Sequence, residues 1–109
     1  MFFNSRNIRR KCIPDALVAW KLFIDNLPLE EKEKCLFILH TEPTSDHGTD
    51  LPAVIEYLFG EDEKSVVISN QKLPHSYMNY LYNMADGVML LSSAEGWGLS
   101  LTESLLTGT

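Results

Sequence analysis

Cysteine is scarce in this 109-residue chain, which carries only Cys12 and Cys35. Two thiols in a sequence with ample core-forming residues read as buried and reduced. No second Cys/His pair stands at ligand spacing, so neither a disulfide nor a zinc site is expected. Long apolar runs are missing as well: none nears the roughly 20 residues of a membrane span, and the Met-Phe-Phe start is too short for a signal peptide. A cytoplasmic setting follows as the default. Bases are few, 9 Lys and Arg against 15 Asp and Glu, for a net charge of -6. That balance excludes broad nucleic-acid or anionic-membrane binding, which requires an extended basic field, but leaves room for local basic spots. Repeats, low-complexity tracts and linkers are absent, and the chain is 45% hydrophobic and 22% charged. Disorder and collagen-like structure are thereby excluded, leaving one small soluble domain that buries about two-thirds of its unfolded surface.

What is present is an alternation of strand and helix. Phe2 to Asn4 reads as a short strand. Ile13, Ala16, Leu17, Trp20, Phe23, Ile24 and Leu27 recur at helical spacing, with Pro14 and Asp15 in the first turn and Pro28 at the end. Residues 28–34 are charged and read as a surface turn of helix. The unbroken apolar run Cys35 to Leu39 predicts a strand covered on both faces, as in parallel sheets. After a polar loop from Thr41 to Thr49, Asp50 caps a helix carrying Leu51, Val54, Ile55 and Leu58 and closed by Gly60. Val66 to Ser69 predicts a third strand. The segment after Pro74 predicts a helix with Met78, Leu81, Tyr82 and Ala85, and Val88 to Leu91 a fourth buried strand. A last helix runs from near Leu99 into Gly108. The fold class is α/β, a parallel sheet with right-handed crossovers. At roughly 30 residues per βα repeat about four units fit, fewer than a complete doubly wound domain holds, so the sequence reads as a piece of something larger.

Two loops that follow strands could carry chemistry. The first, Asn4 to Cys12, concentrates four of the nine bases, Arg6, Arg9, Arg10 and Lys11. At the carboxyl end of a strand such a cluster suits a phosphate-bearing ligand, Arg offering a fork and Lys a point charge. A solvated basic turn paired with surface acids is the alternative. The second, Ser92 to Glu103, has Gly96 and Gly98 where backbone can approach a ligand, then a helix start whose unpaired N–H groups suit an anion. Glu95 and Glu103 would face the same cleft, and ionised carboxylates, which only accept hydrogen bonds, suit the hydroxyls of a polyol. For Glu103 the competing reading is the capping box Ser100-Leu101-Thr102-Glu103, a purely local role. Gly96, Trp97 and Gly98 can likewise serve turn and packing alone. In the doubly wound order 3-2-1-4 the winding reverses between strands one and four, and both loops flank that crevice, where open α/β sheets bind ligands. This points to a nucleotide or phosphate site. His40, His47 and His75 have no evident partner, although His40 at a strand end could face the cleft.

Glu95-Gly96-Trp97-Gly98-Leu99-Ser100-Leu101-Thr102-Glu103 resembles the Glu-x7-Glu motif of retaining GT-B glycosyltransferases of the family-4, or group 1, type. The first loop is similar to that family's Gly-Arg-x-x-x-x-Lys-Gly pattern, with Arg6 and Lys11 at the family's spacing. Leu81-Tyr82-Asn83-Met84-Ala85-Asp86 resembles its Leu-Tyr-x-x-Ala-Asp segment. The resemblance spans nearly the whole chain in order, and Ser5, Cys12 and Leu91 depart from it where the family usually has Gly, Gly and Pro. It implies that residues 1–109 are a Rossmann-like, partial nucleotide-sugar-binding domain, a truncated carboxyl-terminal half of a GT-B fold. Arg6 and Lys11 would then hold the donor diphosphate and offset the charge on the leaving group, with no metal ion or other cofactor. The backbone N–H groups around Gly98, Leu99 and Ser100 would assist. Glu95, as the catalytic carboxylate, would accept hydrogen bonds from the transferred sugar beside the Gly96, Trp97 and Gly98 backbone. Glu103 would bind the ribose hydroxyls, and Lys72 and Leu73 fall in the region whose backbone contacts the base.

The implied activity is transfer of a hexose from a nucleotide-diphospho-sugar to an acceptor. It would depend on an amino-terminal acceptor domain outside this chain, so the chain alone is expected to be inactive. The full-length enzyme would be cytoplasmic or at the membrane surface. The main rival reading is a non-catalytic α/β interaction or assembly module. A receiver-like signalling domain is disfavoured because the first strand ends in Asn-Ser-Arg instead of an acidic cluster. An unpaired edge on the fourth strand is expected to let copies self-associate.

Overall fold

β1 (Phe2–Asn4), β2 (Phe37–His40) and β3 (Val66–Ser69) pair in parallel, in that order, into a small open sheet. The register sets Phe2 opposite Ile38 and Ile38 opposite Val67, so alternate residues of each strand share a face. The helices α1 (Ile13–Asp25), α2 (Leu29–Lys32), α3 (Leu51–Phe59), α4 (His75–Met84) and α5 (Leu99–Leu106) join and flank the strands. The computed structural model of the chain describes residues 1–60, 64–93 and 98–108. Among them no helix is long and apolar enough to cross a membrane.

One face of the sheet bears Phe3, Phe37 and Leu39, fully buried against Ile13, Ala16, Leu17, Trp20 and Ile24 of α1 and Leu51 of α3. Each large aliphatic or phenyl side chain so withdrawn from water contributes about 1.5–3 kcal/mol. The Trp20 indole N–H donates to the Ser65 hydroxyl at 3.2 Å, which satisfies the polar atom that this aromatic brings into the core. α3 begins where its cap dictates, with the Asp50 carboxylate accepting from the Ala53 N–H at 3.2 Å, and it ends at Gly60, whose φ is 94°. The opposite face is covered at β1 by α4, where Tyr82 meets Phe2 edge-on at 5.2 Å. Toward β3 the cover thins and Val67 is 45% exposed. On β2 itself Ile38 is only half-buried, so burial of the second strand on both faces, expected from its unbroken apolar run, is incomplete. That strand also starts at Phe37, not Cys35, because its pairing with β3 begins there, at Val66, and its pairing with β1 one residue later, at Ile38. α1 stops at Asp25, two residues short of Leu27. Cys12 and Cys35 are free thiols, half-buried where full burial was expected.

The expected fourth strand is the main departure. Val88 bridges Phe2 in parallel on the free side of β1, the place that the order 3-2-1-4 assigns to it. The Phe2 N–H donates to the Gly87 carbonyl at 2.9 Å and the Met89 N–H to the Phe2 carbonyl at 3.0 Å. Beyond this the segment is drawn toward the loop after β1. The Ser93 N–H at 2.8 Å and the Ser92 and Ser93 hydroxyls at 3.1 and 3.3 Å all donate to the Arg10 carbonyl. Among the described residues the sheet thus has three strands and one flanking bridge, not four strands.

Candidate functional site

The carboxyl ends of the three parallel strands open into a cleft of about 860 Å³. Its walls come from four stretches: Asn4, Ser5, Arg6, Arg10 and Lys11 after β1; His40, Thr41 and Glu42 after β2; Ser69 to Lys72 after β3; and Gly98, Leu99, Ser100 and Glu103 at the start of α5. Four bases, Arg6, Arg10, Lys11 and Lys72, face two acids, Glu42 and Glu103. In a chain with a net charge of -6, this local excess of bases marks the cleft as the place for an anion.

The basic loop is a folded structure. Arg9–Lys11 form a single 3-10 turn that ends at Cys12, whose φ of 52° and ψ of 41° are left-handed. Cys12 is the sole described residue other than glycine with positive φ. A glycine at this position would adopt that backbone without strain. Asn7, 2% exposed, ties the loop to the segment after β2. Its side-chain amide donates to the Glu42 and Thr49 carbonyls at 3.0 and 2.7 Å, and its side-chain oxygen accepts from the Thr49 N–H at 3.0 Å. Its backbone N–H donates to the Glu42 carboxylate at 2.9 Å. That hydrogen bond first, and then those from its own backbone N–H and Thr41 and the nearby Arg6 charge, hold the Glu42 carboxyl below the usual range against a smaller opposing effect of burial. Gly48 completes the junction, because a Cβ there would overlap the Asn7 carbonyl and side-chain oxygens.

At the other wall, α5 starts from Gly98, which has φ 76° and no side chain to cap the helix. The N–H groups of the first turn have no intrahelical partner and add the positive end of the helix to the cleft. Ser100 is the second residue inside the helix, so the capping box proposed for Ser100 to Glu103 does not form. Glu103 instead lies near the Tyr82 hydroxyl, whose loss of a proton its charge opposes. That hydroxyl in turn accepts from the Asn4 amide at 2.9 Å. Burial, and then the neighbouring Glu103, push Tyr82 up to about 12, against the opposing donation from Asn4.

Of the residues singled out in the sequence, Arg6, Lys11, Lys72, Gly98, Leu99, Ser100 and Glu103 line the one cleft. Leu73 is half-buried beside Lys72 and is not among the lining residues. Glu95, Gly96 and Trp97 lie outside the described residues. His40 does have a partner, Ser69, with Nδ1 3.1 Å from the hydroxyl oxygen. Burial holds the imidazole below its ordinary pKa, while hydrogen bonding to Ser69 and the Glu42 charge oppose the shift. Asn4, Asn7 and the Tyr82 hydroxyl escaped the sequence reading, since each acts through residues far away along the chain. Among the described residues no three His, Cys, Asp or Glu side chains gather as metal ligands do. No protein-family model, curated protein or solved structure matches the chain.

Proposed function

We propose that the chain is the donor-binding part of a retaining glycosyltransferase of the GT-B, family-4 type, and that the cleft holds a nucleotide-diphospho-sugar. One observation carries the proposal: cations from the loop after β1 and the amino end of α5, with Glu103 in its second turn, line one cleft at the strand ends. A volume near 860 Å³ suits a ligand of that size. In this reading Arg6 and Lys11 bind the diphosphate, and as the bond from the sugar to the diphosphate breaks they stabilise the charge that the leaving oxygen gains. The first-turn N–H groups of α5 act on the same oxygens. Glu103 accepts hydrogen bonds from the ribose, Lys72 lies by the base, and Glu95 is assigned to the sugar hydroxyls. The acceptor and its binding groups belong to a second domain.

Calorimetric titration of the folded chain with UDP, GDP and ADP tests this. Binding of one of them is expected, with Arg6→Ala and Lys11→Ala each weakening it about tenfold or more. A folded sample that binds none, or that binds equally well in both variants, overturns the proposal. A second reading, an assembly module, draws on the exposed leucines of α5, Leu99, Leu105 and Leu106, at 66%, 69% and 83% exposure. It requires that Glu103→Ala leave the function of the parent protein intact.

A further inference from the structure

Of the two acids among the described residues that line the cleft, Glu103 has a place in the proposed site and Glu42 has none. A carboxylate in the wall of an anion site repels the ligand. Its bonds give Glu42 a different use. One carboxylate oxygen accepts from the Asn7 backbone N–H at 2.9 Å. That N–H belongs to the peptide unit joining Arg6 to Asn7, and the carbonyl of the same unit is held as well. It accepts from the Ile8 N–H at 3.0 Å and from the Ser5 hydroxyl at 3.1 Å. A peptide unit is planar, so holding it at both ends fixes the path of the chain as it leaves the Arg6 Cα. The junction is tied again on either side. The Ser5 N–H donates to the His40 carbonyl at 3.4 Å, the Arg9 N–H donates to the His47 carbonyl at 3.0 Å, and the Asn7 side chain bonds in both directions with the Thr49 backbone. The loop after β1 is thus laid along the segment after β2 by bonds within the chain.

We infer that Glu42 is a positioning residue: by accepting from the Arg6–Asn7 peptide unit, it holds the basic loop in the shape that presents Arg6 to a diphosphate. The inference rests on the donor-site reading and deepens it. Two effects of Glu42 then carry opposite signs. Its charge weakens the binding of an anion, whereas its hydrogen bond strengthens binding, because a loop ordered in advance gives up less freedom when the ligand arrives. Substitution separates the two. Glu42→Gln removes the charge and keeps a side-chain oxygen that can accept from Asn7. Glu42→Ala removes both. A carboxylate that acted through its charge alone would make the two variants alike.

The test is calorimetric titration of both variants and the wild type with inorganic pyrophosphate and with UDP, GDP and ADP. Glu42→Gln is expected to bind pyrophosphate, and whichever nucleotide binds, at least as tightly as the wild type. Glu42→Ala should bind the same ligands about threefold or more weakly than Glu42→Gln. In an Arg6→Ala background, followed by NMR titration to reach millimolar affinities, the difference between Gln and Ala should vanish, while in a Lys72→Ala background it should persist. A general loss of stability would act alike in both backgrounds. The Glu42 side chain is exposed, so the Ala variant should fold. Should it not, Ser5→Ala, which removes a bond from the other end of the same peptide unit, takes its place with the same expected dependence on Arg6. Glu42→Ala binding as tightly as Glu42→Gln, or a difference that survives in Arg6→Ala, overturns the inference and leaves the donor site standing. If the wild type binds neither pyrophosphate nor any nucleotide, the donor-site reading falls and this inference with it.

Discussion

Replacing Asn7 should damage both the fold and the cleft. The side chain is buried, and Asn7→Ala strips partners from three backbone groups: the Glu42 carbonyl, the Thr49 carbonyl and the Thr49 N–H, bonded at 3.0, 2.7 and 3.0 Å. At about 1 kcal/mol for each group left unsatisfied, the loss is roughly 3 kcal/mol, a large part of what a domain of this size holds. Asn7→Asp tests the direction of the bonds. A carboxylate can still accept from Thr49 but must face two carbonyl oxygens with no proton, so its folded pKa rises above the unfolded value near 3.9. A raised acid binds more protons when folded. The Asp variant is therefore least impaired at acid pH and loses stability as pH rises through its folded pKa. Urea unfolding followed by the fluorescence of buried Trp20, at several pH values, gives both quantities. A loss under about 1 kcal/mol for Asn7→Ala, or an Asp variant whose deficit shrinks as pH rises, would refute the reasoning.

Three further outcomes are expected. Cys12→Gly removes the strain of a left-handed non-glycine residue at φ 52°, worth about 1–2 kcal/mol, against a glycine entropy cost of about 0.4–1; a net gain of a few degrees in Tm should appear, and Cys12→Val should lose stability. His40 has a lowered pKa from the ordinary 6.5, first because of burial, so the unfolded chain binds the proton more readily. Its contribution to stability is complete above 6.5 and is lost as pH falls below it, and His40→Gln should flatten that part of a stability–pH curve. Tyr82 rises from 10.0 to about 12, so the folded state keeps its proton longer and stability falls as pH climbs between those values. The ultraviolet absorbance of tyrosinate should show one late-titrating tyrosine, and Glu103→Gln should bring it earlier.

Local signals accounted for most of the elements, and the failures fall where tertiary pairing decides. Val66 to Ser69 is read correctly because Ser65 and Ser69 bound its three apolar residues on both sides. The run Cys35 to Leu39 marks a strand but not its ends. Leu36 is 41% exposed ahead of the pairing, whereas polar His40 belongs to β2 because Asn4 and Ser69 pair with it. Val88 to Leu91 has strand composition, yet a ladder needs a partner, and β1 offers three residues before its chain turns into the basic loop. In the site, charge and glycine content mark the two loops as candidates. The geometry of parallel strands then gathers loops from their carboxyl ends, which is why Arg6 and Glu103 line one cleft. The Asn4 to Tyr82 bond spans 78 positions of sequence. No periodicity encodes such a contact, and Tyr82 shows in its helix only as one more apolar position.

The distribution of charge narrows what the cleft can receive. At distances beyond about 10 Å the chain's net charge of -6 is largely screened, and what remains repels an anion instead of steering it inward. Affinity must then come from close contacts at Arg6, Lys11 and the amino end of α5, where short range limits screening. Those contacts do not extend across the cleft, because Glu42 and Glu103 also line it. A polyanion, with a phosphate at every step, would set some of its charges against a carboxylate. A ligand with its negative charge gathered at one part and hydroxyl groups at another meets each wall with the group that wall can bind. The proposed nucleoside diphosphate and its sugar conjugates have this pattern, whereas nucleic acid and simple polyphosphates do not.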